Sequence, residues 1–126
     1  MKTLKVILVL MLFFPVFAFA QSNKTAKIEA FYFHNATRCT TCKTVEAEAK
    51  ADLKELYGDK ITFQALNLEE KSTNVLAKKL KVSGQTLLVV KGDKQVNLTN
   101  EGFLYAVTDP DKFKAKIKEK VDPLMK

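Results

Sequence analysis

The sequence predicts an α/β domain built on a mixed sheet, and three observations carry that expectation. Strand-like and helical segments alternate in the order strand, helix, strand, helix, strand, strand, helix. The last two strands are joined by the short "GDK" at 92–94, a tight turn that adds an antiparallel strand to a parallel portion. Both cysteines of the chain, Cys39 and Cys42, stand at the junction of the first strand and the first helix.

Each element has its own signal. "IEAFYFH" at 28–34 is dense in apolar and aromatic residues and reads as a buried central strand. A loop is expected from Asn35 to Thr41. From Cys42 the period becomes helical, with Val45, Ala49, Leu53 and Leu56 on one face and Gly58 as the stop. "ITFQALNL" at 61–68 alternates Ile61, Phe63 and Ala65 as a second strand. "TNVLAKKLKV" at 73–82 is a short helix carrying Leu76 and Leu80, broken by Ser83-Gly84.

"TLLVVK" at 86–91 is a continuous apolar strand, and "QVNLT" at 95–99 a half-exposed one. "NEGFLYAVTD" at 100–109 holds an extra helical turn, expected to be capped by Asn100. Asp109 is placed to cap a final helix with Pro110 at its first position. Phe113, Ile117 and Val121 line one face of that helix, and Pro123 ends it.

The chain has 126 residues, which fits one domain. Its start, "MKTLKVILVLMLFFPVFAFAQ", has Lys2 and Lys5, then an uncharged apolar run to Ala20 closing on an A-x-A pattern. That is the layout of a signal peptide over 1–20, short of the roughly 20 apolar residues a spanning helix needs. Residues 21–27 read as a flexible lead-in and 28–126 as the folded domain. The expected location is periplasmic or secreted, with no integral membrane segment after cleavage. Loss of the leader's two lysines lowers the net charge from +7 to +5. The remaining lysines are scattered, with no aromatic-interleaved basic patch, so nucleic-acid binding is not expected.

Export places Cys39 and Cys42 in an oxidising environment, where the pair is a disulfide at rest. As a structural staple it would be poorly placed, because closing about four residues contributes only about 2 kcal/mol, against nearly 5 for a very long loop. As a zinc site it lacks ligands: beyond the two thiols the chain offers only one histidine, His34. No metal is assigned, although soft ions such as copper(I) need fewer ligands.

Redox chemistry uses the arrangement best. A helix N-terminus is partly positive, Arg38 precedes Cys39 and Lys43 follows Cys42, and all three favour a thiolate. Cys39 is expected to be the exposed nucleophile. Cys42, one turn into the helix, is the more buried resolving thiol.

A C-x-x-C between an apolar strand and an amphipathic helix, within this element order, resembles the thioredoxin-like superfamily. The matching pieces are "FYFHNATRCTTC", "LKVSGQTLLVVKGDK" and the final helix. The resemblance implies a three-layer sandwich, a four-stranded mixed sheet flanked by helices. It also implies dithiol–disulfide exchange on Cys39 and Cys42, with no cofactor beyond that redox-active disulfide.

Three departures stand out. The loop before Cys39 has no Trp and is about one residue longer than in thioredoxin itself. The dipeptide between the cysteines is Thr40-Thr41, not Gly-Pro. Thr86 matches the family's threonine, which puts Gln85 where the family has a cis-proline. A cis bond before a non-proline residue costs about 2.5–4 kcal/mol, so a trans bond is expected.

More narrowly, "RCTTCKTVE", "GQTLLVVKGDK" and "NLTNEGFLYA" look like the nitrophenyl compound nitroreductase subunit ArsF family. That resemblance implies an electron-passing subunit whose redox partner carries the nitro-reducing cofactor, since no flavin motif is legible here. Expected partner- or substrate-binding positions are Arg38, Gln85, Thr86, Phe103 and Tyr105, with Leu104 beside them. Two other readings stay open. One is a thiol-based metal or metalloid carrier without turnover. The other is an adaptor that docks through residues 103–105.

Overall fold

A computed structural model of the chain describes residues 26–126. The signal-peptide expectation (1–20) and most of the lead-in (21–27) lie outside the described residues. Four strands form one sheet: β1 (Ile28–His34), β2 (Ile61–Asn67), β3 (Thr86–Lys91) and β4 (Lys94–Asn97). Their spatial order is β2-β1-β3-β4. β1 runs parallel to β2, and β3 is antiparallel to both β1 and β4. The helices are α1 (Thr40–Tyr57), α2 (Lys71–Lys79), α3 (Thr99–Tyr105) and α4 (Pro110–Val121). The mixed sheet and its two helical layers are the architecture expected from the sequence.

The period of two along β1 divides the core. Ile28, Ala30 and Tyr32 face one side, where they pack with Val45, Ala49 and Leu53 of α1 and with Phe113, Ile117 and Val121 of α4. Phe31 and Phe33 face the other side, against Ala77 and Leu80. β1 is covered on both faces, which is why its residues are almost all apolar. Tyr57 Oη donates to Asp122 Oδ1 at 2.7 Å and ties the end of α1 to the C-terminal turn.

Several boundaries differ from the expectation, each for a local reason. α1 begins two residues before Cys42, because Cys39 caps it and draws Thr40 and Thr41 into the first turn. In β2, Ala65 is exposed. This edge strand instead buries Ile61 and part of Phe63 on one face, and part of Leu66 on the other. α2 ends at Lys79, ahead of Ser83-Gly84. Lys81 takes a left-handed φ of 60°, and Val82 N–H donates to Ala77 O at 2.8 Å. That closure is a Schellman-type stop made without glycine.

β4 ends at Asn97, and Leu98 is fully buried. α3 starts at Thr99, and its first amide donates to Asn97 Oδ1 at 3.0 Å, so Asn97 does the work expected of Asn100. Asp109 caps α4 as expected: its Oδ1 accepts from Lys112 N–H at 3.1 Å, with Pro110 at the first position. Among the described residues, no helix is long and apolar enough to cross a membrane.

Candidate active site at the start of the first helix

β1 delivers the chain to the site and α1 carries it away. After His34 comes an exposed bend at 35–37. His34 Nδ1 lies 2.8 Å from Asn35 O. A carbonyl only accepts, so Nδ1 carries the hydrogen of that bond. Leu68 N–H donates to His34 O at 2.8 Å and joins this bend to the end of β2.

Cys39 is the N-cap of α1, with extended backbone angles (φ −74°, ψ 163°). Its Sγ accepts from Cys42 N–H at 3.1 Å, as the oxygen of a capping Ser or Asp would. Cys39 and Cys42 form a disulfide with their Cα atoms 5.0 Å apart. Cys39 is exposed and Cys42 is only 7% exposed. The exposed cysteine therefore stands at the positive end of an 18-residue helix, while the other is covered by the protein.

Arg38 does not reach freely over Cys39. Its guanidinium pairs with Glu46 of α1, and both side chains are largely covered. Part of its positive field is thereby spent on Glu46 rather than on the thiols. Lys43 is exposed.

Gln85 and Thr86 arrive from the start of β3. Gln85 Oε1 lies 3.7 Å from Cys42 Sγ. Gln85 Nε2 donates to Tyr32 Oη at 2.6 Å. Thr86 pairs in the sheet with Phe33, and its hydroxyl donates to Gly84 O at 2.9 Å. No cis peptide bond occurs among the described residues, so Gln85 is reached through the trans bond its sequence led one to expect.

Phe103 and Tyr105 lie on α3, which packs onto α1 near the site: a Cβ added to Gly102 would come within 2.8 Å of Val45 Cγ1. Phe103 is exposed, with Leu104 beside it on the same short helix and Val107 in the turn that follows. Tyr105 is turned inward, half-buried against the core, with the Lys112 ammonium 4.4 Å from its ring centre. The exposed apolar surface of α3 and the turn after it is thus Phe103, Leu104 and Val107. Among the described residues, no group of three or more His, Cys, Asp or Glu is placed to hold a metal ion.

Tyr32 is the site residue that the sequence reading passed over. It is fully buried, and its hydroxyl donates to Cys42 O at 3.0 Å. Burial pushes that hydroxyl above the ordinary phenol range, while the hydrogen bond from Gln85 and the charge of Arg38 pull the other way. The available signal was its setting: one hydroxyl among the hydrocarbon residues of a buried strand must find a partner. The strand's period of two also points Tyr32 toward α1.

No protein-family model matches the chain, and neither does any curated protein. Among solved structures, it is similar to thioredoxin O2 from Arabidopsis thaliana in its oxidized state. The two share 20% identity, with 75% of each chain covered and a TM-score of 0.50. The fold is thioredoxin-like. A second similar structure is described as that of a malarial protein, at 20% identity over 75% of this chain and 98% of that one, with a TM-score of 0.48. At the strand-to-helix corner of this fold the chain carries a C-x-x-C disulfide, Cys39–Cys42.

Proposed function

We propose that the protein is a thiol–disulfide oxidoreductase that works through Cys39 and Cys42. The observation that carries this reading is the asymmetry of the pair. Cys39 is an exposed residue at a helix N-cap, where a thiolate is favoured, and Cys42 waits one turn away under cover.

In the reducing direction, the Cys39 thiolate attacks one sulfur of a substrate disulfide. A Cys39–substrate bond forms, and the substrate's other sulfur leaves as a thiolate. Cys42 then loses its proton and attacks Cys39 Sγ. The Cys39–Cys42 bond forms, the Cys39–substrate bond breaks, and the second substrate thiolate departs. Two electrons pass from the protein dithiol to the substrate, and both released thiolates take up protons. The same steps run in reverse when the partner is a dithiol.

The test is a trapped intermediate. A Cys42→Ser variant, incubated with a disulfide peptide, accumulates a mixed disulfide at Cys39 that mass spectrometry detects, while the Cys39→Ser variant does not. Absence of any Cys39 adduct contradicts the proposal. Stoichiometric protection of both thiols by copper(I) or arsenite, with no exchange, supports the carrier reading instead.

The finer part of the proposal concerns setting and partner. The leader-like residues 1–20 support an exported protein, periplasmic or secreted. The three motifs that resemble the nitroreductase subunit family support service as a small subunit passing electrons to a cofactor-bearing partner. The exposed Phe103, Leu104 and Val107 give such a partner an apolar surface to meet.

A further inference from the structure

Tyr32 has one hydroxyl proton, and the Cys42 carbonyl takes it, since a carbonyl oxygen only accepts. Tyr32 Oη can then meet Gln85 only as an acceptor, so the Gln85 side chain must turn its NH2 group toward Tyr32. This settles the orientation of the amide from the network alone. The other end of the amide, Oε1, is left facing Cys42 Sγ at 3.7 Å. The buried sulfur therefore confronts a hydrogen-bond acceptor. In the disulfide that sulfur has no hydrogen to give. Once the bond is reduced, the Cys42 thiol gains a donor with its acceptor already in place. A thiolate at the same position would face the partial negative charge of Oε1 and little water.

We propose that Gln85, held in orientation by Tyr32, keeps Cys42 as the protonated thiol in the reduced protein and so leaves the negative charge on Cys39. The proposal deepens the oxidoreductase reading and rests on it for its functional meaning. Gln85 touches the reacting sulfur. Tyr32 acts through Gln85 and is a positioning residue.

The charged groups around the pair do not replace this device. β1 contributes Tyr32, which burial keeps a neutral phenol, and His34, whose ring centre lies 6.2 Å from the Tyr32 ring and whose Nδ1 is engaged with Asn35 O. The loop and α1 contribute Arg38, already paired with Glu46, and the exposed Lys43. The start of β3 contributes Thr86, with Gln85 just before it, both uncharged. On α3, Glu101 is paired with Lys120 of α4. No carboxylate among these is hydrogen-bonded to Cys42 to take its proton. In the resolving step that proton passes to the substrate thiolate released by the first attack. The cost of removing it prolongs the mixed disulfide, during which the partner stays covalently bound to Cys39 until Cys42 or an outside thiolate attacks that bond.

The test titrates Cys42 alone, in the reduced Cys39→Ser protein, by NMR of 13Cβ-labelled cysteine across pH. The expected midpoint lies above the ~8.5 of a free cysteine thiol. Tyr32→Phe frees the amide to turn its NH2 toward the sulfur, and Gln85→Met removes the acceptor while keeping the chain length. Each lowers the midpoint by about one pH unit, a roughly tenfold fall in proton affinity. Gln85→Glu places a carboxylate beside the sulfur and raises the midpoint, whereas mere loosening of the site would lower it.

A midpoint at or below that of free cysteine, no movement in folded Tyr32→Phe and Gln85→Met, or a downward shift in Gln85→Glu overturns the proposal. The Cys39→Ser protein performs no exchange, so this result is independent of the trapping experiment. A shifted midpoint in a protein that fails to form the Cys39 adduct would sink the oxidoreductase reading and leave this one standing.

Discussion

Asp52 shows how one residue sets a pH dependence away from the disulfide. It lies on α1, is only 6% exposed, and its Oδ2 has no hydrogen-bond partner. Burial pushes its carboxyl up to about 6, Glu48 adds to the rise, and Lys114 works against it. The unfolded chain restores the ordinary value of 3.8. Above the folded value Asp52 is ionised in both states, and burying its charge destabilises the fold in full. Below the unfolded value it is neutral in both states and the penalty is gone. Its contribution therefore improves as pH falls from about 6 to about 4. Asp52→Asn should stabilise the protein by about 1 kcal/mol near pH 7.5, a figure reduced for screening by water and Lys114. The gain should vanish near pH 4. Urea unfolding of both proteins at the two pH values checks this, and a gain of equal size in acid would refute it.

At the scale of elements, the seat of α3 on α1 depends on Gly102. Glycine in a helix is normally a weakness, and Ala there gains about 1 kcal/mol. Here a Cβ would stand 2.8 Å from Val45 Cγ1 and 3.5 Å from Phe113 Cζ, both fully buried side chains. Overpacking of that kind costs about 1–3 kcal/mol, so the overcrowding wins. Gly102→Ala should destabilise by about 1–2 kcal/mol, read as a lower urea midpoint with unchanged slope. A variant as stable as the parent would mean that α3 is free to shift and that its packing onto α1 is loose. The seat of α3 also fixes where Phe103, Leu104 and Val107 are displayed, so the same variant should weaken any partner that docks there.

At the scale of the whole molecule, the sequence made the layers legible and left the finer joins hidden. The continuous apolar run of β1, the period of α1 and the Asp109-Pro110 start of α4 each announced themselves, because a single element and its burial determine them. The C-x-x-C pair was legible for the same reason: its two residues are neighbours on one helix end.

What escaped were joins between distant residues. Gln85 and Tyr32 are 53 positions apart, and only the antiparallel pairing of β1 with β3 brings them to one sulfur. Asn97, not Asn100, takes the first amide of α3, just ahead of the N-cap position Leu98, because β4 ends earlier than its alternation suggested. Lys81 ended α2 in a backbone conformation that glycine usually supplies, which no propensity forecasts. Position 85 was marked by its departure from the thioredoxin-like pattern, but its contacts with Tyr32 and Cys42 became visible only with its neighbours in place.

The central claim is that Cys39–Cys42 is a working disulfide rather than a staple. The most direct test is its reduction potential, measured by alkylating the free thiols after equilibration across glutathione buffers. An exposed cysteine at a helix N-cap, paired with a covered partner, predicts a value between about −120 and about −270 mV, the span of exchange-competent dithiols. A value below about −300 mV would mark a bond that resists reduction and would contradict the account.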